Sequence, residues 1–286
     1  MDTTTADDRS KAAKQTDTDP LRAKENLRGV RHRIVVFSGK GGVGKTTVAV
    51  NLAYALAKRG ASVGLLDADV TGPDVPKMTG LTAKPLPIDG NRVLPPAQYG
   101  VKIMSFASLL PQASPVIWRG PLRSRALEQF LGDVVWGKLD YLIADLPPGT
   151  GDEVLTMAQR MEPRMAVVVT TPQEMSLIDS RRAINMAKQT GIGRIGVVEN
   201  MSGLCCPDCG RSIPLFGTGG GERVARELDV HVLGKIPINI SARESADEGH
   251  PIILEDENAD VSQALARIAA KMAEILEGRQ ERDSRD

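Results

Sequence analysis

The stretch Val35–Val70, VVFSGKGGVGKTTVAVNLAYALAKRGASVGLLDADV, decides the fold. With Ile34 before it, it opens on a short apolar run of the kind a strand buried on both faces shows. The run leads straight into Gly39–Thr46, GKGGVGKT, which satisfies the spacing G-x-x-x-x-G-K-[ST]. Its glycines let backbone N–H groups curl around an anion, and the helix that follows adds the positive end of its dipole. Thr47 to Arg59 has helical spacing and is stopped by Gly60. ASVGLLDAD, residues 61–69, is a second buried strand that ends in carboxylates. Strand, loop, helix and strand make a βαβ unit. One lysine is left over: Lys40, directly after the first glycine, has no part in the loop's spacing.

Outward from this unit the alternation continues. LDYLIADLPPG (139–149), RMAVVVTTP (164–172), RIGVVENMS (194–202) and VHVLGKIPI (230–238) read as strands. GDEVLTMAQRM (151–161), SLIDSRRAINMAKQTG (176–191), GERVAREL (221–228) and residues 259–277 read as helices. Such alternation predicts an α/β fold, a mostly parallel sheet with helices on both faces in three layers, as in P-loop NTPases. The strand ends that carry glycine and charge gather at one edge, where such folds bind ligands. Residues 82–127 are Pro-rich and irregular, and no element is assigned there. Residues 1–26 are expected to be a disordered polar tail, 27–277 the catalytic domain with a cysteine loop, and 278–286 a frayed end.

Composition excludes several function classes. Lys plus Arg and Asp plus Glu are both 36, so the formal net charge is zero. That balance argues against a nucleic-acid or membrane partner. No apolar run approaches the roughly 20 residues of a membrane span, and the polar N-terminus is no signal peptide. A cytoplasmic protein is expected.

The phosphate loop names its candidates: Gly39, Lys40, Gly41, Gly42, Val43, Gly44, Lys45, Thr46 and Thr47. Lys45 is placed to reach the β- and γ-phosphates of ATP, and the Thr46 hydroxyl to ligate Mg²⁺. Asp145 ends the apolar strand YLIAD, where a carboxylate can hold a Mg²⁺-bound water. Asp67 and Asp69 end the neighbouring strand, and carboxylates spaced i, i+2 on an extended chain point the same way. One can support the metal while the other orients an attacking water; a strand cap or turn is the alternative for either alone.

All three cysteines fall within five residues, at 205, 206 and 209. An odd, clustered set is a poor disulfide framework. Cys206 and Cys209, spaced C-x-x-C, suit one tetrahedral zinc, one edge of an iron–sulfur cluster, or a dithiol redox site. Either metal centre takes about four thiolates, and a symmetric dimer supplies the second pair. Cys205 lies outside this pattern. His32, His231 and His250 are scattered and read as structural or surface residues.

GKGGVGKTT with its extra lysine, DAD (67–69) and DLPPGTGDE (145–153) resemble the deviant-loop P-loop ATPases, the group of MinD, ParA and the nitrogenase iron protein. The resemblance implies that Lys40 crosses a dimer interface to the partner's nucleotide. It further implies that Asp69 orients the attacking water and that Asp67 and Asp145 support Mg²⁺. A cation supplied in trans stabilises transition-state charge only once the dimer closes.

Within that group the chain is most similar to the Mrp/ApbC iron–sulfur cluster carrier ATPases. DADVTGPDVPKMTG (67–80), WRGP (118–121), ENMSGLCCPDCG (199–210), FGTGGGERVA (216–225), LGKIPI (233–238) and ESADEGHPI (244–252) carry this resemblance over residues 27 to 275. It implies a homodimer that bridges a [4Fe–4S] cluster through Cys206 and Cys209 and passes it to apo iron–sulfur proteins alongside cluster assembly factors. It implies Asn200 near the adenine, with Pro237 and Asn239 on the base's other side; a turn-forming role is the alternative for Asn239. Thr71 and Asp74 depart from the family's usual Tyr or His and Ser. The alternative function is a MinD/ParA-like ATPase switch in which zinc at the C-x-x-C is a structural clasp.

Overall fold

The computed structural model describes residues 20–70, 72–89, 92–108, 127–128, 130–206 and 209–278. Strands β1 (Val30–Phe37), β2 (Val63–Asp67), β5 (Ala97–Gln98), β6 (Val101–Ser105), β7 (Leu139–Asp145), β8 (Met165–Thr170), β9 (Ile195–Glu199) and β12 (His231–Lys235) form one sheet. Their order is β12-β9-β8-β1-β7-β2-β6-β5. All neighbours run parallel except β5, which pairs antiparallel with β6 at the edge. The expected α/β architecture is therefore present. Two-residue hairpins, β3 (Leu86–Pro87) with β4 (Val93–Leu94) and β10 (Leu204–Cys205) with β11 (Ser212–Ile213), stand apart from the sheet.

Alternation along the central strand splits the core into two layers. Ile34 and Val36 of β1 face helix α2 (Lys45–Lys58) and the long helix Asp260–Glu277, packing with Leu52, Leu265 and Met272. Val35 and Phe37 face the opposite layer, where helices Asp152–Met161, Glu174–Gln189 and Gly220–Glu227 bring Met157, Ile184 and Val224. A strand covered on both faces needs apolar residues at every position, which is why IVVF carries no polar alternation. Each such fully buried side chain contributes roughly 1.5–3 kcal/mol of transfer free energy.

Three expectations change. The polar tail was expected to run to residue 26, but α1 (Pro20–Asn26) is a helix whose Ala23, with Leu27 after it, is buried in the second layer. Two apolar residues four apart make one face of a helical turn, and charged neighbours mask them in the sequence. Residues 1–19 and 279–286 lie outside the described residues. The unassigned segment contains β6, a full member of the sheet beside β2. The second buried strand ends at Asp67 rather than Asp69; the Ala68 N–H still bonds the Asp145 carbonyl, and the chain then leaves the sheet. Among the described residues no helix is long and apolar enough to cross a membrane.

Candidate nucleotide site and cysteine hairpin

Parallel strands that end in register bring their terminal side chains together. Asp67 on β2 and Val36 on β1 both pair with Asp145 on β7, so the turn after β1 opens beside two carboxylates. From that turn Lys45 and Thr46 start α2. The Lys45 ammonium lies 2.6 Å from Asp145 Oδ1, and the Thr46 hydroxyl donates to Asp145 Oδ2 at 2.7 Å. Lys45 and Asp145 are almost wholly buried. Burial pushes the Asp145 carboxyl up, opposed by the charge and hydrogen bonds of Lys45 and Thr46. Burial and then the Asp145 charge push Asp67 well above the usual carboxylate range.

Asp67 and Asp69 take different surroundings. Asp67 is fully buried; its Oδ2 accepts from Ser105 Oγ at 2.8 Å and from the Val75 N–H at 3.3 Å. Asp69 lies past the strand end, where its Oδ1 accepts from the Gly72 N–H at 3.2 Å. It lines a cleft of about 390 Å³ together with Gly41, Gly42, Gly44, Lys45, Thr46 and Thr47. The common orientation expected of an extended pair is lost because the chain turns between them. Asp69 lines the cleft, whereas Asp67 is buried beside Asp145 at the strand ends.

Next to this cleft lies a second cavity of about 730 Å³, which shares Gly44, Thr47, Asp74 and Met78 with it. Asn200, Pro237 and Asn239 line it, as do Leu215 and Phe216. A phosphate-sized polar cleft that opens into a largely apolar cavity matches the two ends of a nucleotide. Asn200 follows β9 and donates its Nδ2 to the Val43 carbonyl at 2.9 Å, tying the cavity to the loop. Asn239 caps the helix Ile240–Glu248, its Oδ1 accepting from the Ala242 N–H at 3.0 Å, while Nδ2 donates to Asp260. Its amide thus performs a helix-capping task. Gly44, at φ +79°, stands where any Cβ would collide with Asn200 Nδ2. Gly39 is closed in by Asp179, and Val43 is buried beneath the loop.

Lys40 is half-buried in the loop, and its ammonium has no hydrogen bond or ion pair among the described residues; the Ser38 hydroxyl donates to its backbone carbonyl at 2.8 Å. Asp74 is exposed at the start of the short helix α3 (Val75–Thr79). Thr71 and the WRGP segment lie outside the described residues.

The cysteines stand on the β10–β11 hairpin. Cys205 pairs with Ser212, the Cys206 N–H donates to the Arg211 carbonyl and the Gly210 N–H to the Cys206 carbonyl, each at 2.9 Å. Cys209 is exposed and Cys206 partly so. Among the described residues no three His, Cys, Asp or Glu side chains are grouped to hold a metal ion, which leaves the C-x-x-C pair two thiols in each chain. Two residues absent from the sequence reading take part in these sites, Ser105, whose strand was not recognised, and Leu215, while Phe216 was read only as the start of the FGTGGGERVA motif.

Comparison with known proteins gives the family and the fold. Residues 29–273 match the profile of a ParA family described as NUBPL iron-transfer P-loop NTPase. The chain is 49% identical over 262 residues to the iron–sulfur cluster carrier protein of Methanocaldococcus jannaschii, covering 90% of this chain and 89% of the relative. It is 48% identical over 272 residues to that of Pyrococcus horikoshii, covering 91% and 92%. Among solved structures it is similar to a nucleotide-binding protein of Archaeoglobus fulgidus in complex with ADP, with a TM-score of 0.74 and 40% identity over 85% of this chain and 95% of that one. The cell division ATPase MinD of Pyrococcus furiosus shares the fold at a TM-score of 0.63 and 22% identity, over 86% and 99%. By sequence profile, by close relatives and by the glycine loop at the strand ends, the chain belongs to the iron-transfer P-loop NTPases.

Proposed function

We propose that the protein is an ATP-dependent iron–sulfur cluster carrier that works as a homodimer. Its cargo, a [4Fe–4S] cluster, is held between the Cys206–Cys209 pairs of two subunits and passed to apo-proteins. The observation that carries this reading is the exposed C-x-x-C hairpin, which offers two thiols where a cluster needs about four. The two-fold axis of a dimer completes the set. An exposed position favours release of cargo over permanent enclosure.

The nucleotide chemistry rests on the converging groups. Lys45 would give up Asp145 for the β- and γ-phosphate oxygens of ATP, and the Asp145 carboxylate would then help hold Mg²⁺, which would neutralise phosphate charge. Thr46 would offer its hydroxyl to the same ion, with Asp67, beside Asp145 at the strand ends, in support. Asp69, on the wall of the cleft, orients the attacking water. Lys40 reaches the partner subunit's nucleotide, so charge stabilisation in the transition state depends on dimer closure. Gly39, Gly41, Gly42, Val43, Gly44 and Thr47 wrap the phosphates, while Asn200, Pro237 and Asn239 bound the base.

Anaerobic reconstitution with iron and sulfide tests the reading, with metal, sulfide and oligomer measured on one sample. About four irons and four sulfides per dimer, lost on Cys206→Ser or Cys209→Ser, is the expected result. Retained zinc without sulfide would make the hairpin a clasp and the protein an ATPase switch.

A further inference from the structure

Glu199 is the last residue of β9, is 1% exposed, and stands between the base cavity and the cysteine hairpin. Its Oε1 accepts from the Gly219 N–H at 2.9 Å and from the Ser202 hydroxyl, and its Oε2 accepts from the Gly221 N–H at 2.6 Å. Ser202 begins the segment that carries the cysteines and Gly219 ends it, so one carboxylate holds both stems. No lysine or arginine pairs with Glu199 among the described residues. Its partners are a hydroxyl and N–H groups at the N-terminus of the helix Gly220–Glu227. A Cβ on residue 221 would stand 3.0 Å from Glu199 Cβ, which fits glycine at this close approach.

The clasped segment is also wired to the nucleotide cavity. Asn200, the next residue, donates to the phosphate loop at Val43. The Ser202 N–H bonds the Ile236 carbonyl at 2.9 Å, the Ile236 N–H bonds the Glu199 carbonyl at 2.8 Å, and the Ile238 N–H bonds the Gly203 carbonyl at 2.7 Å. Ile236 and Ile238 line the cavity, as do Leu215 and Phe216 from within the clasped segment itself. The cysteine hairpin and the cavity therefore share a wall, so a bound base that moved that wall would also move the hairpin's stems.

We propose that Glu199 is a positioning residue that locks the stems of the cysteine segment into the wall of the base cavity, so that nucleotide occupancy changes the exposure and spacing of Cys206 and Cys209. This rests on the reading of that cavity as the base site and of those cysteines as cargo ligands. Coupling between two sites needs a structural element that both of them bias, and the stems 199–206 and 209–221 are that element.

The test uses metal-free full-length protein and measures the alkylation rates of Cys206 and Cys209 by peptide mass spectrometry, with and without Mg-ATP and Mg-ADP. In the wild type, nucleotide is expected to change the rates by about fivefold or more. In Ser202→Ala, which removes one tie, and in Glu199→Gln, which replaces an acceptor with a donor, nucleotide affinity is expected to stay within about threefold while the nucleotide effect on alkylation falls below about twofold. A wild type whose cysteines ignore nucleotide overturns the proposal. So does a Ser202→Ala protein that keeps the full response or loses nucleotide binding altogether; this variant decides the matter if Glu199→Gln does not fold. Because the thiols are read without iron, failure of this coupling is distinct from failure to assemble a cluster.

Discussion

The Lys45 ammonium and the Asp145 carboxylate meet at 2.6 Å across the turn that joins β1 to α2. This buried pair lies at the cleft, and its cation is the group proposed to meet phosphate. Replacing Lys45 with Met leaves the Asp145 charge without its cation, so the nucleotide-free protein is expected to lose roughly 3 kcal/mol of stability. Nucleotide affinity should fall by at least about a hundredfold, the scale of a lost charged phosphate contact. Chemical denaturation and calorimetric titration check the two effects separately; wild-type affinity in the variant would remove Lys45 from the site.

Lys40 makes a contrasting prediction. Its ammonium has no partner within the described chain, so Lys40→Ala should leave the melting temperature and ATP affinity nearly unchanged. A charge delivered across a dimer is worth orders of magnitude in turnover, and phosphate release is expected to slow about a hundredfold or more. An unaltered rate would make it a solvated loop lysine.

Gly44 and Asn200 constrain each other. A side chain at φ +79° costs roughly 1–2 kcal/mol, and its Cβ also collides with Asn200 Nδ2. Gly44→Ala should therefore destabilise the protein and weaken nucleotide binding, and adding Asn200→Ala should recover part of the stability. A double-mutant cycle by urea denaturation ought to give a coupling of about 0.5 kcal/mol or more. Strict additivity would mean the collision is relieved elsewhere.

His32 sets an acid limit on stability. It is buried against Tyr141, with ring centroids 5.3 Å apart, and neither ring nitrogen has a hydrogen-bond partner among the described residues. Burial, then the guanidiniums of Arg164 and Arg31, lower its pKa from 6.5 to about 4, with Glu277 opposing. Between those values the unfolded chain binds more protons than the folded one, so this contribution is lost as pH falls from 6.5 towards 4 and is fully present above that window. Thermal melts of the wild type and His32→Leu from pH 7.5 to 4 should diverge on acidification, with the wild type losing more. Parallel curves would show that His32 does not titrate there.

Much of this protein is legible in residues that act locally. GKGGVGKT is recognisable because a chain that wraps phosphate needs glycine at fixed steps and a lysine and threonine at the helix start. IVVF and YLIAD are recognisable because a strand buried on both faces admits no polar alternation. The pairing that makes VKIMS a strand beside β2 is not local: its five residues carry a lysine and stand in a Pro-rich setting, and only the exposed edge of β2 gives them a ladder. The same holds for α1, whose Ala23 and Leu27 become a core face only against the second layer.

At the sites the division is the same. Sequence by itself determined which chemistry is available: the phosphate loop, the strand-end carboxylates and the paired cysteines. Tertiary structure alone decided how these groups are distributed. It buried Asp67 against Ser105 and put Asp69 in the wall of the cleft, set the Asn239 amide to cap a helix, and joined Ser202 to Gly219 through Glu199. The reason is physical. Backbone conformation and residue type are specified over a few positions, whereas a buried carboxylate takes whichever donors the packing of distant segments brings within hydrogen-bond reach.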